Sequence, residues 1–255
     1  MLQAHSILWH YLWLAPQILT LILCIAVFRS RMRREYPVFC VYLLFAGAEG
    51  ISLYILDLLP FVSGVAWWRA FWVGTVLEGI LKFILIGELL HHLLRSWTSI
   101  AKTGRNLVSG SGVLLVLLAA TAAAFAAPDN APWYIGGVHV LSQTIYLAAS
   151  GLIVSMFVLA ACFRIPWDRT TFGIALGAGF VWCEHLAIWA LVSGGVVRNR
   201  GWEDIANMAA YHVAVLIWCF YLLVPHRMKV PKRAPELPEN NLEIWNRELE
   251  RLIHQ

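Results

Sequence analysis

The sequence predicts an all-α polytopic membrane protein: a seven-transmembrane-helix bundle with its N-terminus outside, its C-terminus cytoplasmic and a short C-terminal amphipathic helix. Three observations predict it. Hydrophobic residues make up 60% of the 255 and charged residues only 13%, which is more apolar surface than a soluble domain buries. Seven stretches are long and apolar enough to cross ~30 Å of hydrocarbon as helices of ~20 residues. Of the 13 tryptophans, Trp9, Trp67, Trp68, Trp97, Trp133, Trp167 and Trp202 stand beside the ends of those stretches, where an interfacial aromatic belt belongs.

In chain order the expected spans are Ile7–Phe28, Val38–Leu59, Trp67–Leu90, Leu107–Ala127, Tyr134–Phe163, Thr171–Ser193 and Ile205–Val224. Their length decides for helix, because barrel strands are ~9–11 residues and alternate polar with apolar. Met1 to Ser6 carry no Lys or Arg and the first run continues to Phe28, so it reads as a retained span rather than a signal core of ~7–15 residues. Pro16 falls inside it, where a kink is expected. The first span is closed by Arg29, Arg31, Arg33, Arg34 and Glu35, and Pro37 opens the second at a position helices tolerate. Pro60 with Ser63-Gly64, and Pro128, Asp129, Asn130 and Pro132, make turns on the opposite side. The fourth span is small-residue rich, and the long fifth implies tilt or extension past the lipid.

The loops set the orientation. Arg29, Arg31, Arg33 and Arg34, then Arg95, Lys102 and Arg105, then Arg164 and Arg169, then Arg227, Lys229, Lys232 and Arg233 fall on one side; Arg69, Arg198 and Arg200 fall on the other. The basic side is expected in the cytoplasm of a plasma or inner cell membrane. The same placement argues against nucleic acid as a partner, since the net charge of +4 is dispersed among short loops and one tail. The five cysteines (Cys24, Cys40, Cys162, Cys183, Cys219) lie in or beside apolar runs without CxxC spacing and read as small buried residues.

Two domains are expected: residues 1–225 as the transmembrane domain and 226–255 as a cytoplasmic basic linker with a short helix. His226 to Arg233 is a basic juxtamembrane stretch that sets topology and suits anionic headgroups. Asn240 with Glu243 resembles a capping box, after which Leu242, Trp245, Leu249 and Leu252 share one face. A helix this short is unstable alone. It is expected to dock on its own bundle, a second copy or a cytoplasmic protein partner.

Ionisable residues inside the spans carry the functional signal, because each is costly in lipid unless paired or hydrated. Glu49 is central in the second span; Glu78 and Lys82 are central in the third at i,i+4 spacing; Glu184 and His185 are central in the sixth; His212 is central in the seventh. On the third, Thr75, Glu78, Lys82, Glu88 and His92 fall within roughly 140° of arc, and on the fifth, His139, Gln143, Tyr146 and Ser150 fall within about 60°. Both faces must point inward, where Gln17, Glu49, Glu184, Asn207 and Tyr211 join them. One lysine cannot neutralise Glu49, Glu78 and Glu184, so at least one carboxyl is protonated, hydrated or bound to a cation. The candidate ligand- or proton-binding residues are therefore Glu49, Glu78, Lys82, His139, Gln143, Tyr146, Glu184, Tyr211 and His212, around a polar cavity opening outward. The same groups also read as interhelical glue worth ~0.6 kcal/mol each, and Gly173 with Gly177 as a close-packing pair.

The layout resembles that of microbial rhodopsins, yet the last span holds no lysine for retinal. Pro16-Gln17 resembles the dipeptide of seven-helix PQ-loop carriers; the resemblance covers two residues, and the second repeat's Pro-Gln is missing. No intramembrane HxxxH, nucleotide-binding fingerprint or nucleophile elbow is present, and no cofactor, catalytic residue or metal ligand set is expected. The leading expectation is a small-ligand sensor or membrane-embedded regulator. The alternatives are a proton-coupled transporter, an intramembrane enzyme and an accessory subunit.

Overall fold

A computed structural model describes residues 6–95, 110, 133–193, 200–224 and 250–251, with the side chains of all of these but 133–139, 192–193 and 200–201. The described residues contain helices and no strand: α1 (Ile7–Arg29), α2 (Met32–Glu35), α3 (Pro37–Leu58), α4 (Gly64–Leu93), α5 (Trp133–Cys162), α6 (Arg169–Ser193) and α7 (Arg200–Leu223). Five of them, α1, α3, α5, α6 and α7, are long and apolar enough to cross a membrane. The chain is a helical membrane protein. α4 has the length, at 30 residues, but carries Glu78, Lys82 and Glu88 and is not among the five. The expected span Leu107–Ala127 lies outside the described residues. So does the amphipathic helix around Leu242, Trp245, Leu249 and Leu252, although Glu250 and Arg251 are helical. The chain falls into two compact units, Met1–Leu223 and Val224–Gln255, and helices α1 to α7 all belong to the first.

Side-chain and backbone chemistry accounts for several of the helix ends. Ser6 accepts from the Trp9 amide at 3.2 Å and Ser63 from the Ala66 amide at 3.2 Å, capping α1 and α4. Asp168 accepts from the Thr170 and Thr171 amides at 3.1 and 3.3 Å and caps α6. α3 begins with Pro37 and has no cap of its own. Its next two amides, Val38 and Phe39, donate instead to the two Glu88 oxygens of α4 at 2.9 and 3.0 Å. A carboxylate from a neighbouring helix thus neutralises the positive end of α3. α5 ends with Arg164 in the left-handed region (φ 51°) while the Ile165 amide reaches back to the Ala160 carbonyl at 2.9 Å, a Schellman closure. Through Pro16, α1 stays helical.

The six long helices form a closed ring, because each packs on its neighbour in the order α1, α3, α4, α5, α6, α7 and α7 returns to α1. Glycines set the spacing at the seams. A Cβ at Gly47 would meet Leu21, one at Gly79 would meet Ile145, one at Gly173 would meet Tyr221, and one at Gly177 would overlap the Trp218 indole. The Gly173/Gly177 pair therefore seats α7 of the same chain on α6. Lipid offers no hydrophobic drive for helix association, so close approach and dispersion hold these seams.

Polarity divides the ring along its length. In the halves nearer Tyr36 the interior is apolar and closely packed: Leu23 and Val27, Phe39 and Leu43, Leu85 and Leu89, Ile153 and Met156, Ile174 and Ala178, Val215 and Trp218 are all buried. Facing away from the ring, Ile22, Ile25, Leu44, Ile55, Ile80, Ile84, Val154, Val158, Leu216 and Phe220 are exposed, as a lipid-contacting surface requires.

Substituting Gly177 with Ala forces Cβ into Trp218 and is expected to cost ~1–3 kcal/mol, seen as a lower unfolding midpoint in detergent. Gly151 meets nothing within 4 Å. Gly151→Ala is expected to leave the midpoint unchanged or raise it, since a mid-helix glycine costs roughly 0.5–1 kcal/mol. Equal losses from both variants would contradict the seam.

Candidate functional site

In the ring halves remote from Tyr36 lies a cavity of about 270 Å³, and all six long helices line it. Its polar wall comes from Gln17 of α1, Glu49 of α3, Glu78 of α4, His185 of α6, and Asn207 and Tyr211 of α7; its aromatic wall comes from Trp13, Phe71, Tyr146 and Trp182, with Tyr42 towards the apolar half. Leu12 and Pro16 also line it. Proline has no N–H to give the carbonyl four residues earlier, so the helix bond that Pro16 deletes lies at this wall.

The centre is built on Lys82, which is 1% exposed. Its ammonium lies 3.2 Å from a Glu78 oxygen, one helical turn away, and 3.7 Å from the centre of the Tyr146 ring. A cation between a carboxylate and an aromatic face is doubly stabilised in a dry setting. The far side of Tyr146 is not idle, because the His185 ring stacks on the same tyrosine at 4.1 Å and 23°. Glu78 retains 24% exposure and turns its remaining surface to the cavity.

Glu49 and Gln17 are seated by absent side chains. A Cβ on Gly74 would overlap the Glu49 carboxylate, and one on Gly50 would overlap the Gln17 amide. Each polar group thus occupies the volume a larger residue would fill. Tyr211 contacts the Thr20 hydroxyl at 3.0 Å, and that hydroxyl donates to the Pro16 carbonyl at 2.8 Å. With its proton committed, Thr20 accepts from Tyr211, which fixes the tyrosine at the wall. At the rim, Trp13 and Trp67 donate their indole N–H to the Gly50 and Leu53 carbonyls, both at 3.2 Å, and Tyr54 bonds His10 at 3.0 Å.

Of the residues expected from sequence, Glu49, Glu78, Tyr146 and Tyr211 line this cavity, and Lys82 stands behind Glu78 and Tyr146. Gln143 lines a smaller one of about 50 Å³ with Ser142, Tyr146, His185, Leu186, Trp189 and Glu203. Glu184 and His212 line neither, and each keeps a buried atom, Oε2 and Nδ1, without a hydrogen-bond partner. His139 is helical, but its side chain lies outside those described. Among the described residues no three His, Cys, Asp or Glu side chains converge as a metal site would require. His185 is engaged by Tyr146, and His212 lies 6.0 Å from Tyr11.

The aromatic wall was not anticipated from the sequence, since Trp13, Tyr42, Phe71 and Trp182 sit in apolar runs without a distinguishing pattern. The stripe of α4 also divides. Thr75, Glu78 and Lys82 are in the middle of the helix, while Glu88 caps α3 and His92 bonds the Glu35 carbonyl at 2.7 Å and stacks on Tyr36 at 4.2 Å. Tyr36 in turn meets the Thr171 hydroxyl at 2.7 Å. Burial pushes the Tyr36 hydroxyl up to about 12, so it remains protonated and ties α3, α4 and α6 together. Glu88 and His92 therefore belong to this junction and not to the cavity.

Comparison with known protein families, characterised proteins and solved structures finds no match for this chain.

Lys82→Met leaves the Glu78 carboxylate without its cation and is expected to cost ~3 kcal/mol or somewhat less, given the partial exposure of Glu78. Adding Glu78→Gln is expected to restore a large part of the midpoint. A double-mutant cycle read by thermal unfolding measures the coupling, and simple additivity would mean that the pair does not interact.

Proposed function

We propose that the chain is a seven-span membrane protein that admits a small ligand to the cavity from outside and acts as a sensor or membrane-embedded regulator. The observation that carries this reading is the division of the ring. A polar and aromatic cup lies over a close-packed apolar floor built from Leu43, Leu85, Ile153, Ala178 and Trp218. A cup closed beneath favours binding over passage, and binding is what a sensor requires. The 226–255 segment, on this reading, is the cytoplasmic part through which the bundle reports.

Connectivity supports the seventh span. His92, near the end of α4, stacks on Tyr36, and Tyr36 meets Thr171 at the start of α6. α5 ends only a short turn before α6, so α4 and α5 both finish at the Tyr36 end. On this reading the expected span Leu107–Ala127 is the crossing between them. The Tyr36 end also gathers Arg29, Arg31, Arg33, Arg34, Arg95, Arg164 and Arg169, which supports placing it in the cytoplasm. Reporter fusions after Arg95 and after Pro132 are expected to read cytoplasm and exterior respectively. The same side for both would remove the crossing.

A second reading, a proton-coupled transporter, draws on one fact: the cavity holds two carboxylates, Glu49 and Glu78, and Lys82 pairs with one. The two readings are separated in nanodiscs and vesicles. For a sensor, a panel of small cations, anions and neutral molecules is expected to include compounds that raise the unfolding midpoint of the wild type by mass action and leave Phe71→Trp, whose cup is filled, unmoved. Uptake driven by a pH gradient and abolished by Glu78→Gln would establish the transporter instead. With neither stabilisation nor uptake, the cup has no ligand role.

A further inference from the structure

We infer that the cup selects a small organic ammonium ion, a protonated primary amine on a single ring or a chain of similar bulk. The inference rests on the reading of the cup as a ligand site, and four observations carry it. The first is that two of the three unsatisfied buried polar atoms among the lining residues are acceptors, the Trp182 indole N–H being the one donor. Oε1 of Gln17 and Oδ1 of Asn207 are buried without a hydrogen-bond donor, and both residues line the cavity. Among the described residues no hydrogen bond or ion pair reaches the Glu49 carboxylate, which lines the same space. A buried acceptor left unmet costs free energy. What completes these three groups is a ligand that brings N–H donors, and an anion or a carbonyl compound does not.

The second observation is charge. The two carboxylates of the cavity, Glu49 and Glu78, adjoin one cation, Lys82, which is withdrawn behind Glu78 and Tyr146. The other groups at hand are His185 of α6, stacked on Tyr146, and the hydroxyls of Tyr42, Tyr146 and Tyr211. When both glutamates are ionised the site carries one uncompensated negative charge, and an ammonium ligand removes it. A third observation is that the protein already holds an ammonium in this chemistry. Lys82 sits between a carboxylate at 3.2 Å and an aromatic face at 3.7 Å. Glu49, with Trp13, Phe71 and Tyr42 in the same wall, offers the materials for a second such seat, to be filled from outside.

The fourth observation is size. A dry cavity of ~150 Å³ holds benzene, so about 270 Å³ accommodates one ring with a short arm. The aromatic wall takes the ring, and the acceptors take the charged end.

Three probes of nearly equal shape isolate the charge: 2-phenylethylamine, propylbenzene and 3-phenylpropanoate, titrated into the full-length protein in nanodiscs by calorimetry. The amine is expected to bind at least ten-fold more tightly than either of the others. Glu49→Gln is expected to weaken it at least ten-fold, and Glu49→Asp by less. Glu88→Gln, which alters the cap of α3 and not the cup, is expected to leave it unchanged. The unfolding midpoint of Glu49→Gln without ligand checks that the variant is folded. Equal binding of the three probes, no binding of the amine, or an unaltered Glu49→Gln overturns the inference. If propylbenzene or 3-phenylpropanoate binds best, the charge class is wrong while the cup stands as a ligand site; if no small molecule of any charge binds, the site reading falls as well.

Discussion

Hydrocarbon cannot hydrate charge, and the rest of this structure is arranged around that fact. Lys82 sits in mid-helix on α4, where it is nearly inaccessible, and must be satisfied from within the bundle. Glu78 supplies the counter-charge from its own helix, and Tyr146 supplies an aromatic face from the next. That second contact needs α5 to lie against α4, and Gly79 permits the approach by presenting no Cβ to Ile145. His185 of α6 then covers the other face of Tyr146. One buried ammonium thereby specifies the order of three helices.

The small residues complete what the polar ones begin. In water a glycine inside a helix mostly weakens it, but between helices it sets how close two backbones come. Here glycines stand opposite functional groups as well as seams: Gly74 makes room for the Glu49 carboxylate and Gly50 for the Gln17 amide. The same economy holds at the opposite end, where α3 lacks a cap and Glu88 of α4 provides it. A helix start without its own capping side chain is thus bound to a particular neighbour, which pins the end of α3 to the end of α4.

The helices were legible in the sequence because lipid enforces a simple rule, a long apolar run without interruption, and α1, α3, α5, α6 and α7 follow it closely. Their ends were legible where chemistry is local, as at Pro37. Glu78 with Lys82 was legible from i,i+4 spacing alone. Other features depend on what lies across a gap. Nothing in the spacing separates Glu88 from Glu78, yet one caps a neighbouring helix and the other lines a cavity, because α3 begins beside the first and bends no part of its backbone to the second. Glu184 is as central in its helix as His185, but adjacent residues differ by about 100° in direction, and only His185 is turned to the cavity. The aromatic wall was hidden for another reason: Trp182 and Phe71 look the same in sequence whether they face lipid, core or a void.

The division between a polar half and an apolar half bears on how such a bundle can respond. The apolar floor has no hydrophobic drive of its own in lipid, and its cohesion comes from fit. A close-packed layer does not deform gradually; it holds one arrangement or shifts to another. The cup is the opposite kind of structure, with acceptors unmet at Gln17 and Asn207 and a carboxylate poised over Gly74. On the proposed reading, a ligand that satisfies them would draw α1, α3 and α7 together at one end of the ring. α3 runs from Glu49 through Tyr42 and Phe39 into the floor and to the Glu88 cap, so one helix joins the cup to the Tyr36 junction. Unequal contacts in two packings are what a regulator needs, and this ring places the adaptable contacts at one end and the discrete ones at the other.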